Sequence, residues 1–145
     1  MANNTNQTFP NEKHLDYIQT TITRMGQNSF QAKTWGITIV SGLLAFMLSQ
    51  SDHKLKIVCI ITSIVVTCLF WLLDAYYLHL ERGYRALYNI AAKLVRGKTV
   101  QDYDMRIPKE SRGFKKYMKS LFLSPSTGFF YFVVVVGMII LLFWV

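Results

Sequence analysis

The chain has 145 residues, of which 52% are hydrophobic, and its mean hydropathy of +0.25 is high for a soluble domain. This length allows one domain, and the clustering of apolar residues into long runs excludes an ordinary globular core and indicates membrane spans. The net charge is +8, and residues 81–126 carry eleven basic against four acidic residues, so one segment holds nearly all of the excess.

Residues 1–29 combine a polar tail with a short amphipathic helix, and they contain no apolar signal region. The tract GQNS at 26–29 predicts a break before the first span. We expect the apolar face of this helix to lie on the inner leaflet or against the Leu87 side of the second helix. Four apolar residues recur on that face at helical spacing from Glu12 onward: Leu15, Ile18, Ile22 and Met25.

Three apolar runs are long enough to cross a membrane, because about 20 residues at a rise of 1.5 Å cover a hydrocarbon core of roughly 30 Å. The first span is predicted at 30–49 and the second at 57–80. No proline interrupts the second run, so its helix should continue into the cytoplasm to about residue 96, where Gly97 can stop it. A connector at 97–126 leads to a third span at 127–145. The predicted fold class is an all-α integral membrane protein with three transmembrane helices.

The basic connector also predicts the orientation of the chain. Loops rich in lysine and arginine stay in the cytoplasm, which puts the N-terminus inside and the turn at 49–56 outside. The C-terminus is then expected outside as well. Anionic lipids of the inner leaflet are the expected partners of this positive charge.

A polar stripe follows one side of the second helix, within an arc about 80° wide on a helical wheel. Asp74 would cost about 2.5 kcal/mol or more facing deep lipid, so we expect the stripe to face protein or water. It either packs the three helices of one bundle together or lines the pore of a homo-oligomer, with Asp74 and Glu81 as charged rings. Glu81 and Arg85, at i and i+4, can also simply pair with each other. The stripe candidates are Ser63, Thr67, Asp74, Tyr77, Glu81 and Arg85.

Small residues recur in the first span, where they let helices approach closely. The candidates for helix packing are Thr38, Ser41, Gly42 and Ala45. The third span has no comparable polar stripe, and we expect it at the lipid-facing periphery.

The connector is predicted to contain one short helix at about 114–123, and its charge has three interpretations. It can be a solvated face near anionic lipid, a docking surface for a soluble protein, or a contact surface for nucleic acid or a nucleotide. Its candidate contacts are Arg106, Lys109, Arg112, Lys115, Lys116 and Lys119.

No pattern indicates an enzyme, a metal site or a cofactor. The GKT tract at 97–99 lacks the upstream glycine and strand of a phosphate-binding loop. The three histidines are scattered without cysteine partners outside the membrane. Cys59 and Cys68 lie nine residues apart, on opposite sides of one helix, so they cannot bond to each other within it.

Two stretches, IQTTITRMGQNSFQAKTW at 18–35 and FWLLDAYYLHLERGYRALY at 70–88, resemble paired signatures of a family of small bacterial inner-membrane proteins. Members are also similar to two- or three-span effector subunits of anti-phage modules, which are thought to damage the inner membrane when triggered. The resemblance implies a bacterial inner-membrane location. It also directs attention to Arg24, Asn28, Lys33, Asp74, Tyr77, Glu81, Arg82 and Arg85.

These observations lead to two functional hypotheses. The first is a homo-oligomeric inner-membrane effector that perturbs the bilayer or forms an ion-conducting pore, with a role in anti-phage defence. The alternative is a non-conducting membrane anchor that docks a soluble partner on its basic cytoplasmic region.

Overall fold

The computed structural model of the chain describes residues 11–113, 115, 117–118 and 124–144. Over this part the chain is helical and contains no strand, which confirms the all-α class. The elements in chain order are α1 (Glu12–Leu48), α2 (His53–Ala91), a 3-10 turn (Lys109–Ser111), a π turn (Pro125–Phe129) and α3 (Phe130–Trp144).

Both long helices begin at a side-chain cap. The Asn11 side chain accepts a hydrogen bond from the His14 N–H at 3.4 Å, and Asp52 Oδ1 accepts one from the Lys54 N–H at 3.0 Å. These caps satisfy backbone donors that a helix start leaves without partners. Only residues 49–52 separate the two helices, so α1 and α2 run antiparallel as neighbours.

The predicted break at 26–29 is wrong, because α1 is one continuous helix of 37 residues, about 55 Å long. A glycine costs a helix interior only about 1 kcal/mol, which packing can outweigh. Gly26 lies where α1 passes α2, and a Cβ there would come 3.6 Å from Glu81 Oε2. Ser29 is likewise engaged by α2 through a buried hydrogen bond. The amphipathic segment and the first span therefore form a single rod.

The second helix ends at Ala91, earlier than the predicted end near residue 96. Lys93 has φ of +56°, and its N–H donates to the Ile90 carbonyl at 3.0 Å, which closes the last turn. Gly97, with φ of +73°, lies in the loop that follows. The sequence predicted that the helix ends at Gly97, because the left-handed backbone that Lys93 adopts is uncommon for lysine.

A first apolar core lies near the turn between the two helices. It combines Val40 and Met47 of α1 with Cys59 and Ile60 of α2, and Met138 of α3 completes it. All five side chains are buried. This core is where the third helix joins the hairpin.

A second core lies at the opposite end of the hairpin, in the part formed by 12–28 and 75–91, which we call the extension. Ile18, Ile22 and Leu87 are buried there against each other. The N-terminal amphipathic segment thus packs on the Leu87 side of α2, which confirms one of the two expected positions.

Within the described residues, three helices are long and apolar enough to span a membrane: Glu12–Leu48, His53–Ala91 and Thr127–Trp144. Only 22% to 28% of each apolar window is buried within the chain. A water-soluble protein rarely exposes so much contiguous apolar surface, so the composition is that of a membrane protein.

The connector folds back against the extension. Its Ile107 lies over Gly83 of α2 so closely that a Cβ at Gly83 would fall 2.8 Å from Ile107 Cγ2. His14 Nε2 lies 3.3 Å from the Asp104 carbonyl oxygen. The predicted helix at 114–123 lies largely outside the described residues, although 115, 117 and 118 are helical.

Candidate functional site

A buried ion pair joins α1 to α2 where the apolar run of α2 ends. Asp74 has no exposed surface. Its Oδ1 accepts a hydrogen bond from the Ser29 hydroxyl, and its Oδ2 lies 2.7 Å from Lys33 Nζ. Ser29 and Lys33 meet one carboxylate because residues four apart share a face of a helix. Asp74 was predicted to face away from lipid. In the structure it faces two partners on α1, Ser29 and Lys33.

Lys33 is held inside this site while its outer edge stays accessible. Its side chain is 18% exposed, and its Nζ also donates to Ser29 Oγ at 3.3 Å. Its contact with Oδ2 is a close charge pair that lacks hydrogen-bond alignment. Removal of one member of a buried pair typically costs about 3–5 kcal/mol, because the remaining charge is left without compensation.

The π turn and α3 each supply one further polar group to this region. Thr127 and Tyr131, four residues apart, are buried, and Tyr131 stacks on Trp71 of α2 with ring centroids 6.1 Å apart. Within the described part of the chain, neither hydroxyl has a hydrogen-bond partner. A buried polar group without a partner costs about 1–3 kcal/mol. Packing of α3 against the hairpin is therefore accompanied by an energetic penalty near the ion pair.

This arrangement corrects the expectation that α3 is only peripheral. Much of its surface is exposed, including Phe132 and Phe143. However, its inner side covers the polar stripe of α2, where Met138 Sδ lies 3.8 Å from the Thr67 hydroxyl. The sequence did not predict this packing, because Thr127 and Tyr131 are isolated hydroxyl residues in an otherwise apolar span.

The predicted stripe divides into a sealed part and an exposed part. Ser63 and Thr67 are buried, and each hydroxyl donates at 2.8 Å to a carbonyl one turn earlier in α2. Together with Asp74 they lie inside a single chain. Tyr77 is half-buried, and the Glu81–Arg85 pair, 2.8 Å apart, lies beyond the apolar run with Arg85 63% exposed. The part of the stripe in the apolar run is thus buried within one chain.

The predicted packing stripe of α1 is wrong for contacts within the chain. All four of its residues are exposed: Thr38, Ser41, Gly42 and Ala45. The buried side of α1 runs through Ala32, Gly36 and Val40, and a Cβ at Gly36 would fall 3.2 Å from the Phe70 side chain. Small residues occur on two sides of this helix, and spacing alone does not show which side meets α2.

The basic candidates lie on the outside of the connector. Arg106, 80% exposed, pairs with Asp104 at 3.0 Å, and hydrogen bonds from Arg106 lower the pKa of Asp104. Lys109, Arg112 and Lys115 are exposed. The remaining two candidates, Lys116 and Lys119, lie outside the described residues.

The other residues implicated by the resemblance are dispersed. Arg24 is exposed and Asn28 is half-buried, while Arg82 donates to the Ser124 hydroxyl at 3.2 Å. Among the residues that the structure describes, no three histidine, cysteine, aspartate or glutamate side chains come together to hold a metal ion.

No family model matches the chain, and neither a curated protein nor a solved structure is significantly similar to it. The geometry of the buried ion pair and of the connector therefore carries the functional inference.

Proposed function

We propose that this protein is a non-conducting, homo-oligomeric subunit of the bacterial inner membrane that anchors a soluble partner at the cytoplasmic face. The observation that carries the proposal is the burial of Asp74 against Lys33 within one chain. A charged ring around a shared pore needs an accessible carboxylate from each subunit. Here the carboxylate is paired with a lysine of its own chain and has no exposed surface.

The extension suits the role of an anchor. From Asp74 to Ala91 the second helix continues for 17 residues, about 26 Å, without interruption. It is braced by α1 and by the connector, so a partner bound at its end would be held at a fixed distance from the bilayer. The positive-inside rule puts this end in the cytoplasm.

The exposed small residues of α1 support homo-oligomer formation. Among the described residues, nothing outside the adjoining part of α1 would lie within 4 Å of a Cβ at Gly42. Thr38 and Ala45, one turn either side, are also exposed. In a bilayer, such a surface allows the close approach of another helix, and a second copy offers the same surface.

Ion flux into liposomes tests the non-conducting role. Purified protein is reconstituted into vesicles loaded with a potassium-sensitive dye, with a pore-forming peptide as positive control. We expect wild-type protein and Asp74→Asn to leave flux at the level of protein-free vesicles. A wild-type leak that Asp74→Asn abolishes would overturn the proposal in favour of a pore lined by this stripe.

The anchoring role has a separate test in cells. A photo-crosslinking residue in place of Arg112, on the connector, should trap a soluble protein. The same residue in place of Lys54, at the turn between α1 and α2, should not. Equal capture at both positions would exclude a partner specific to the basic end.

A second candidate is a defence effector that conducts only after its helices separate. It is favoured by the unpartnered hydroxyls of Thr127 and Tyr131, which weaken the packing of α3 beside Asp74. In the flux assay it predicts a silent wild type and a leak from Lys33→Met, which removes the charge that holds Asp74. Silence of that variant would leave the anchor as the better account.

A further inference from the structure

A cleft of about 650 Å³ lies between the end of α2 and the connector. Leu87 and Ile90 of α2 form one wall, and Val100 and Ile107 of the connector form the other. Sites for small molecules typically have volumes of about 300–1,000 Å³, with mostly apolar walls and a few polar groups. We call this space the connector cleft.

The rim of the connector cleft is positively charged. Four basic and two acidic side chains line it, an excess of two positive charges: Lys98, Arg106, Lys109 and Arg112 against Asp104 and Glu110. Two of the cations are already neutralised, because Lys98 pairs with Glu110 at 2.8 Å and Arg106 pairs with Asp104.

The other two cations, Lys109 and Arg112, are exposed and have no acidic partner within the described part of the chain. They lie at either end of the 3-10 turn, where the Arg112 N–H donates to the Lys109 carbonyl at 3.1 Å. Both residues line the cleft, three positions apart in the chain. Guanidinium and ammonium groups are both donors that bind phosphate oxygens.

The walls of the cleft are fixed by packing. Ile107 is pressed against Gly83, and Val100 packs on the core around Leu87. Tyr103, with φ of +63°, turns the connector back between them, and its ring lies 6.0 Å from that of His14. A ligand would thus meet a preformed site, which lowers the entropic cost of binding.

The distance of the cleft from the membrane decides whether a soluble phosphate or a lipid phosphate can reach it. Leu87 lies 13 residues beyond Asp74, which is about 20 Å along the helix. The headgroup layer adds only about 5–8 Å to each side of the hydrocarbon core. Measured from residue 80, the predicted end of the second span, Leu87 is still about 10 Å further along the helix, just beyond the headgroup layer.

We infer that the connector cleft binds a soluble nucleotide, with its phosphates at Lys109 and Arg112 and its base between the apolar walls. The excess positive charge of the rim favours an anionic ligand. The apolar walls at Ile90 and Ile107 favour a ring system attached to that anion. This inference goes beyond the proposed anchoring role. It shares with that role the placement of the connector in the cytoplasm and the position of Arg112.

Isothermal titration of the full chain in a neutral detergent, without acidic lipid, tests the inference. We expect ATP to bind and pyrophosphate, which lacks the base, to bind at least tenfold more weakly. Lys109→Glu and Arg112→Glu should each weaken ATP binding by at least tenfold. Arg96→Glu, an exposed control outside the cleft with the same change in charge, should leave it unchanged.

A second variant tests the space between the walls. Thr99 is exposed and lines the cleft, so Thr99→Trp should block the base and abolish ATP binding without disturbing the core. Circular dichroism checks that each variant keeps its helices.

Several outcomes would overturn the inference. They are the absence of ATP binding at millimolar concentration, equal binding of pyrophosphate and ATP, and equal weakening by Arg96→Glu. Binding of phosphatidylglycerol vesicles but not of ATP would assign the charge to lipid, and binding of polyglutamate alone would assign it to an acidic protein. None of these results alters the flux assay, so the two proposals can fail separately.

Discussion

The apolar half of the molecule and its extension handle charge in opposite ways. In the apolar half, Asp74 and Lys33 are turned inward and paired between helices, with 0% and 18% of their side chains exposed. In the extension and connector, the Glu81–Arg85 and Arg106–Asp104 pairs each keep the cation in water, with Arg85 63% and Arg106 80% exposed. A charge is costly in lipid and cheap in water, so only the first pair is forced to organise the fold. The buried pair should therefore carry far more of the stability.

Removal of the buried carboxylate tests this difference in stability most directly and should have the largest effect. Asp74→Ala leaves the Lys33 ammonium without compensation, and we expect a loss of about 3–5 kcal/mol in the free energy of unfolding in detergent. Glu81→Gln, whose partner Arg85 is 63% exposed, should cost no more than about 1 kcal/mol. A combined Lys33→Met and Asp74→Leu variant should recover most of the loss. Equal destabilisation by Asp74→Ala and Glu81→Gln would refute the contrast.

The contact between connector and extension gives the next largest effect. Gly83→Ala places a methyl group 2.8 Å from Ile107 Cγ2, so Ile107 must move. Overpacking of this kind costs about 1–3 kcal/mol and should expose the connector to trypsin. A second substitution, Ile107→Val, which removes a methyl group, should restore part of the resistance. Unchanged cleavage in Gly83→Ala would show that the connector does not rest on α2.

Two glycines of α1 sharpen the comparison on a smaller scale. Gly36→Ala meets Phe70 at 3.2 Å and should destabilise the hairpin slightly, by about 1 kcal/mol. Gly42→Ala meets nothing within 4 Å and should stabilise the helix by up to about 1 kcal/mol. Both are measured by thermal unfolding in detergent. If Gly42→Ala is instead destabilising and lowers the oligomeric mass, the exposed side of α1 is the contact between copies.

The smallest effect is a pH dependence of the connector. Hydrogen bonds from Arg106 lower the pKa of Asp104 below its ordinary value of 3.8. A lowered pKa in the folded state gives stabilisation that is present above the ordinary pKa and is lost as pH falls through the lowered value. Cleavage of the connector by pepsin should therefore increase below about pH 4 in wild type and vary less with pH in Asp104→Asn. Identical profiles would show that this surface pair does not hold the connector.

The sequence predicted the features that depend on local composition. Apolar runs identified three candidate spans, and the cost of a carboxylate in lipid predicted that Asp74 faces away from it. The partners of Asp74 were not predictable as a set, because Ser29 and Lys33 lie more than 40 residues away in the chain. The predicted break at 26–29 failed for the same reason, since contacts with α2 outweigh a weak local preference.

The two faces of α1 show a second limit of prediction from sequence. The exposed residues around Gly42 and the buried residues around Gly36 have similar spacing, and only the position of Phe70 distinguishes them. The connector cleft depends on the pairing of Gly83 with Ile107, 24 residues later, and no periodic pattern reports such a contact.

The unbroken course of α2 has a mechanical consequence. Leu87 and Ile90, which form one wall of the cleft, belong to the same helix as Asp74, and this helix is continuous from Asp74 to Ile90. A tilt imposed on the helix at one end must appear at the other, as in a lever. A force on the Ile90 end of this helix therefore also acts on the contact between Lys33 and Asp74.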